Sequence, residues 1–168
     1  MTDPSLLIRT ATQADAEALA DLGARTLRDT FGPEKTDAQA DYLSLTFRPD
    51  VKSGALDDPD AIFLIAEAEG ASIAYARLRF GYSPDSVGGA APMEIARFYA
   101  DAAWVGRGVG RALMESCFAL AADRCCDVVW LDVWEKNDRA IAFYERWGFA
   151  TVGSQAPGWS TMRRMIER

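Results

Sequence analysis

The chain has 168 residues, 49% of them apolar and 26% charged, with a formal net charge of −7. That length suits a single domain, 1–168, able to bury a core. The acidic balance argues against general nucleic-acid binding, which needs clustered Lys and Arg, and fits a cationic small substrate. No apolar run approaches the roughly 20 residues of a membrane span.

In chain order, the first segment is Leu6 to Arg9, a short strand. With Leu6-Leu7-Ile8 set between polar residues it makes no signal peptide, so a cytoplasmic location is expected. Thr12 is a good N-cap before Gln13-Ala14-Asp15, and the helix it opens runs to about Arg28 with Leu19, Leu22, Thr26 and Leu27 on one face. Thr30-Phe31-Gly32-Pro33 breaks it. Asp37 to Phe47 reads as a second helix, and Pro49 to Pro59 as a loop with at most a helical turn. Ala61 to Glu67 and Ser72 to Tyr82 read as a strand hairpin around Glu69-Gly70. Ser83 to Pro92, rich in Gly, Ser and Pro, is expected to be a flexible loop. Met93 to Ala100 is the next strand, and Gly108 to Arg124 a helix with Val109, Leu113, Cys117 and Leu120 inward. Then come a strand from Val128 to Trp134, a helix from Asn137 to Trp147 that stops at Gly148, and strands Phe149 to Gly153 and Thr161 to Ile166. The order is that of a mixed α/β sheet with helices on both faces.

The sequence has no histidine, which removes Ser-His-Asp and Cys-His catalysis and every histidine-ligated metal site; no metal is expected. Proton transfer falls to Glu, Asp, Tyr, Cys, Lys or water. The cysteines are Cys117, Cys125 and Cys126, an odd number with two adjacent, which does not suit a disulfide framework. Cys117 falls at a core spacing, and none of the three reads as a nucleophile.

The segment Val105-Gly106-Arg107-Gly108-Val109-Gly110-Arg111 leads from a strand into a helix. Free N–H groups at such a helix start suit phosphate, and glycine permits close approach. A dinucleotide fingerprint fails, because its third glycine would fall at Arg111 or Leu113, and the Gly-Lys-Ser/Thr of a P-loop is missing. A turn for the pyrophosphate of an acyl-CoA and a plain loop remain. Arg107 and Arg111 add local positive charge.

Gly108 and Gly110, with Asn137 and Phe143-Tyr144-Glu145-Arg146-Trp147-Gly148-Phe149 downstream, resemble the GNAT superfamily of acetyl-CoA-dependent N-acetyltransferases. The turn pattern of that family is Arg/Gln-x-x-Gly-x-Gly/Ala; its leading position here is Val105, which leaves the backbone cradle and removes a side chain. The run from Trp130 to Asn137 and Arg28-Asp29-Thr30-Phe31 resemble the bacterial PaiA-like polyamine acetyltransferases. The resemblance covers essentially the whole chain.

The resemblance implies acetyl-CoA as donor and direct attack by an amine within a ternary complex. It implies pyrophosphate contacts from Gly106, Arg107, Gly108, Val109, Gly110 and Arg111, and pantetheine contacts from the backbone of Phe98, Tyr99 and Ala100. It assigns Asn137 to the pantetheine arm, though Asn137 also suits a helix cap. It makes Tyr144 the proton donor to the leaving thiolate, against a plain reading in which Ala140, Phe143, Tyr144 and Trp147 form an apolar stripe.

Glu94 is read as a base for the ammonium or as a solvated strand residue. Asp132, which alternation sets beside Val128, Trp130 and Trp134, either meets a substrate amine or pairs with an arginine such as Arg97. Asp29, Phe31 and Glu34, in the loop after the first helix, are acceptor-pocket candidates through the resemblance. The implied acceptor is a small polycationic amine such as spermidine or spermine. A protein N-terminus or lysine is the alternative, as is an acyl-CoA-sensing module without turnover. A monomer and a homodimer are equally compatible with the sequence; no nucleic-acid or membrane partner is expected.

Overall fold

A computed structural model of the chain describes residues 6–31, 59–104 and 106–166. Its strands are β1 (Leu7–Thr10), β2 (Ala61–Ala68), β3 (Ala71–Phe80), β4 (Pro92–Ala100), β5 (Val128–Trp134), β6 (Ala150–Gly153) and β7 (Trp159–Met165). The helices among these residues are α1 (Ala16–Phe31), α2 (Val109–Asp123) and α3 (Asp138–Arg146), with short 3-10 turns at Gln13–Asp15 and Ala102–Trp104. The strands form one sheet in the order β1-β2-β3-β4-β5-β7-β6. β4 and β5 run parallel, in the register Pro92↔Val128, Met93↔Val129 and Glu94↔Trp130. β5 and β7 are antiparallel from Val128↔Met165 to Trp134↔Trp159. The sheet is therefore mixed, as the alternation of strand and helix patterns predicts. The predicted helix at Asp37 to Phe47 and the residues of Pro49 to Pro59 before Pro59 lie outside the described residues.

The chain groups into two compact units, Met1–Arg77 with Arg97–Cys117, and Leu78–Ala96 with Phe118–Arg168. In the first, Leu19 and Leu22 of α1 pack on Phe63, Ile65, Tyr75 and Tyr99. Burying each such side chain contributes about 1.5–3 kcal/mol. Entry into α1 is fixed by Asp15, whose carboxylate accepts from the Thr12 N–H at 2.7 Å and holds the Arg9 guanidinium through two bonds of 2.8 Å. That fork holds the Asp15 carboxyl down at about 2. α1 runs on to Phe31, past the expected stop near Arg28.

In the second unit, Trp130 is buried with Val87 and Val128, and its Nε1 donates to the Tyr82 carbonyl at 3.0 Å. The segment from Ser83 to Pro92 is pinned, contrary to the expected flexible loop. Asp127 accepts from the Ala90 and Ala91 N–H groups at 2.8 and 3.0 Å. Arg163 donates to the Val87 carbonyl at 2.6 Å, and Ser83 Oγ to the Gly88 carbonyl at 2.9 Å. Val87 is the buried plug, and Gly89 sits so close to β5 that a Cβ there would be 2.4 Å from Val128 Cγ1.

Candidate active site

The strand β4 ends at Ala100, and Asp101 follows it, a junction the sequence reading did not single out. Its N–H donates to the Ile73 carbonyl at 2.7 Å. Its carboxylate forms an ion pair with Arg25 of α1 and accepts from the Ala103 N–H at 3.1 Å. Its carbonyl accepts from the Trp104 N–H at 2.8 Å. An acid one residue before a helical turn is the signal that finds it.

From this anchor the chain enters the glycine turn. Gly106 and Gly108 have φ of 83° and 84°, a left-handed backbone that favours glycine. Arg107 lies between them, exposed, with its guanidinium carbon 3.8 Å from the centroid of the Trp104 ring. Val109 then opens α2, and the Gly108 carbonyl accepts the first helical bond, from the Ala112 N–H at 3.0 Å. The N–H groups of Val109, Gly110 and Arg111 fall in the first turn of α2, where a helix provides no internal acceptor. N–H groups left open at a helix start are of the kind that suits an anion. Arg111, also exposed, reaches along the helix to Glu115 at 3.1 Å. Within the same unit, Phe98 and Ala100 are half-buried and Tyr99 is buried. Inward on α2, Val109, Leu113 and Cys117 are buried as expected, joined by Met114 and Ala121, while Leu120 is only half-buried. Burial pushes the Cys117 thiol up to about 12, which makes it inert packing.

The second unit holds the other candidates. Asn137 caps α3, its Oδ1 accepting from the Ala140 N–H at 3.2 Å. Tyr144 is the buried residue of that helix, with Phe143 and Phe149 ring centroids at 5.6 and 5.8 Å in edge-on geometry. Phe118 stacks on Trp147 at 5.9 Å, and Arg164 lies over the Phe118 ring while donating to the Trp147 carbonyl at 2.8 Å. The helix therefore ends on an aromatic platform that fixes the Tyr144 ring. Glu94 lies inside β4 and pairs with Arg79 at 3.5 Å, its side chain 15% exposed.

Of the two readings of Asp132, the arginine pair is not the one observed. In place of an arginine such as Arg97, its carboxylate accepts from Thr161 Oγ1 at 2.6 Å and Gln155 Nε2 at 2.7 Å. The antiparallel register sets Asp132 opposite Thr161, which is how a buried hydroxyl meets it. Trp130, which alternation sets on the same face, is a core residue. Asp29 and Phe31 belong to the last turn of α1 and not to a loop after it, and Glu34 lies outside the described residues. Among the described residues no cluster of Cys, Asp and Glu is arranged to hold a metal, and no helix is long and apolar enough to cross a membrane.

Residues 18–149 match the model of the acetyltransferase (GNAT) family. An uncharacterized N-acetyltransferase of Mycobacterium bovis is 31% identical over 142 residues, 84% of this chain and 86% of that protein. The N-alpha-acetyltransferase RimI of Mycobacterium tuberculosis is 30% identical over 141 residues, 83% and 84% of the two chains. Among solved structures, the PaiA N-acetyltransferase of Thermoplasma acidophilum in complex with coenzyme A superposes with a TM-score of 0.82 at 16% identity, over 96% of this chain and 99% of that one.

Proposed function

Since the chain belongs to the acetyltransferase (GNAT) family, and is an acetyl-CoA-dependent N-acetyltransferase, we propose that it moves the acetyl group onto a small primary amine by direct attack. The observation that carries the donor side is the turn at Gly106 and Gly108, two left-handed glycines feeding the open amides of α2. We assign the CoA pyrophosphate to the segment Gly106 to Arg111, through the backbone N–H groups of Gly106 and of Gly108, Val109, Gly110 and Arg111, with the Arg107 and Arg111 side chains adding charge. The backbone of Phe98, Tyr99 and Ala100 is assigned to the pantetheine and the thioester carbonyl. These residues lie on β4 beyond Glu94, the last of the three residues paired with β5. Asn137 is assigned to the pantetheine arm as well as to the cap. One domain, 1–168, is the reading we keep, and a single family model matches residues 18–149.

In the transfer, the amine nitrogen forms a bond to the acetyl carbon and the carbon–sulfur bond breaks. The nitrogen gives up a proton to Glu94, directly or through water, and Tyr144 delivers a proton to the CoA sulfur. The products are an amide and a free thiol. Tyr144 suits the acid role because its ring is held rigidly by Phe143 and Phe149.

A polyamine acceptor has the net charge of −7 and the sequence resemblance behind it. A protein N-terminus has the 30% identity to an N-alpha-acetyltransferase behind it. The test is thiol release from acetyl-CoA with spermidine, spermine, amino acids and short peptides, with the product identified by mass. Acetylated amine in step with thiol supports the proposal. Tight acetyl-CoA binding with no transfer to any acceptor overturns it in favour of a sensing module.

A further inference from the structure

Arg25 lies three residues beyond Leu22 on α1, a spacing that keeps two side chains on one face of a helix. It meets Asp101, the residue that follows β4, and both side chains are half-buried. Arg25 Nη1 pairs with Asp101 Oδ2, which leaves Oδ1 to accept from the Ala103 N–H at 3.1 Å. The Arg25 Nε–H is buried without an acceptor, and the carboxylate of Asp21, at 3.8 Å, is largely exposed. A buried donor left unmade costs stability, and desolvation offsets much of the attraction within a partly buried pair. Net stability is therefore a poor reason for an arginine here, and the placement of Asp101 is a better one.

Asp101 holds the chain that leads to the glycine turn. Its N–H donates to the Ile73 carbonyl at 2.7 Å, and its carbonyl accepts from the Trp104 N–H at 2.8 Å. The Trp104 carbonyl accepts from the Arg107 N–H at 3.2 Å, and the Trp104 indole lies against the Arg107 guanidinium. Contacts thus run without a break from α1 through Asp101 and Trp104 to Arg107, all inside the first compact unit.

We propose that Arg25 is a positioning residue for the donor: by orienting the Asp101 carboxylate it fixes the turn Ala102–Trp104 and, through Trp104, the Arg107 side chain. The inference rests on the assignment of the CoA pyrophosphate to Gly106 to Arg111. Without the guanidinium, the Asp101 carboxylate turns to water and the Ala103 N–H loses an oriented acceptor. Trp104 and Arg107 then have to be ordered when the donor binds, which lowers affinity. A pyrophosphate contact is made equally before and during transfer, so its loss raises KM and leaves kcat. A donor without pyrophosphate gains nothing from Arg25.

The experiment compares acetyl-CoA with acetylpantetheine, the same thioester without its nucleotide and pyrophosphate, under one saturating amine. The full chain is set against Arg25→Gln, Arg25→Lys, Asp101→Asn and the double variant Arg25→Gln/Asp101→Asn, with thermal unfolding followed for each. Asp101→Asn keeps an oxygen for the Ala103 N–H and removes the charge that Arg25 holds. Arg25→Gln and Asp101→Asn are each expected to raise the KM for acetyl-CoA about 5- to 30-fold, with kcat within about twofold. The double variant is no worse than either, Arg25→Lys recovers part of the loss, and kcat/KM for acetylpantetheine stays within about twofold throughout. An unchanged KM for acetyl-CoA in folded Arg25→Gln overturns the inference. An equal fall for both donors gives Arg25 a general structural role and overturns it too, as do effects that multiply in the double variant. If Arg25→Gln does not fold, Asp101→Asn and Arg25→Lys carry the same comparison. A parent protein that uses the two donors equally well overturns the pyrophosphate assignment itself.

Discussion

The guanidinium of Arg107 lies over the Trp104 indole with its carbon 3.8 Å from the ring centroid, and the Arg107 N–H donates to the Trp104 carbonyl at 3.2 Å. The indole confines the charge of this exposed arginine. The contact contributes about 0.5–2 kcal/mol. Trp104→Leu is therefore expected to raise the KM for acetyl-CoA by about 2- to 30-fold with kcat little changed. Steady-state kinetics at two salt concentrations check it. An unchanged KM in a folded variant removes Trp104 from donor binding.

Tyr144→Phe keeps the ring that packs on Phe143 and Phe149 and deletes only the hydroxyl. If that hydroxyl protonates the leaving sulfur, kcat falls by about 10²- to 10⁴-fold while acetyl-CoA affinity and melting temperature stay near those of the parent. Thiol release and calorimetry on the same preparation separate the two effects. Full-rate transfer by this variant at all pH values refutes the acid assignment.

The elements with strong periodicity were legible from the sequence. β5 was read with its observed ends, and the cap at Asn137 was read from residue type alone. The misreadings came where a distant residue decides. Ser83 to Pro92 has the composition of a mobile loop, yet Asp127, 36 and 37 residues further on, takes up two of its N–H groups. Asp132 meets Thr161 because the β5–β7 register, which local pattern does not specify, sets the two opposite each other. For the site, the glycine turn was visible as a motif, whereas the pairing of Asp101 with Arg25 and the Trp104 platform under Arg107 became visible only with tertiary contacts.

The pinned loop makes its own prediction. Gly89 has φ of 91°, and a Cβ there would lie 2.4 Å from Val128 Cγ1 and 2.9 Å from Asp127 Oδ1. Gly89→Ala is expected to cost about 2–4 kcal/mol through overpacking and backbone strain. Denaturant unfolding measures it, and hydrogen exchange at Ala90 and Ala91 should lose protection in the variant. Fast exchange at these two amides in the parent protein contradicts the pinned loop.

Asn137 has two assignments that a pair of substitutions separates. Asn137→Ala removes the acceptor for the Ala140 N–H and is expected to cost about 1 kcal/mol. Asn137→Asp keeps an acceptor at the helix start, where the dipole favours negative charge, so stability holds. A contact to the pantetheine through the amide NH₂ is lost in both. Reduced acetyl-CoA affinity in Asn137→Asp at parental stability supports the donor contact; unchanged affinity leaves Asn137 as a cap only.

The fork between Arg9 and Asp15 sets how the entry to α1 responds to acid. The Asp15 carboxyl, with its side chain 11% exposed, is held at about 2, below its ordinary value of 3.8, chiefly by its bonds to Arg9. A depressed carboxyl contributes stability that is fully present above its unfolded value and is lost as pH falls through the folded one. The window is therefore from about pH 4 down to about pH 2. Because Arg9 is 37% exposed, solvent screening limits the contribution to about 1–2 kcal/mol. Asp15→Asn keeps an oxygen for the Thr12 N–H and removes the charge. It is expected to be about 1–2 kcal/mol less stable than the parent at pH 7, with the difference shrinking towards zero as pH approaches 2. Urea unfolding of both proteins across this range measures the difference, and a gap that stays constant with pH shows that the ion pair is not its source.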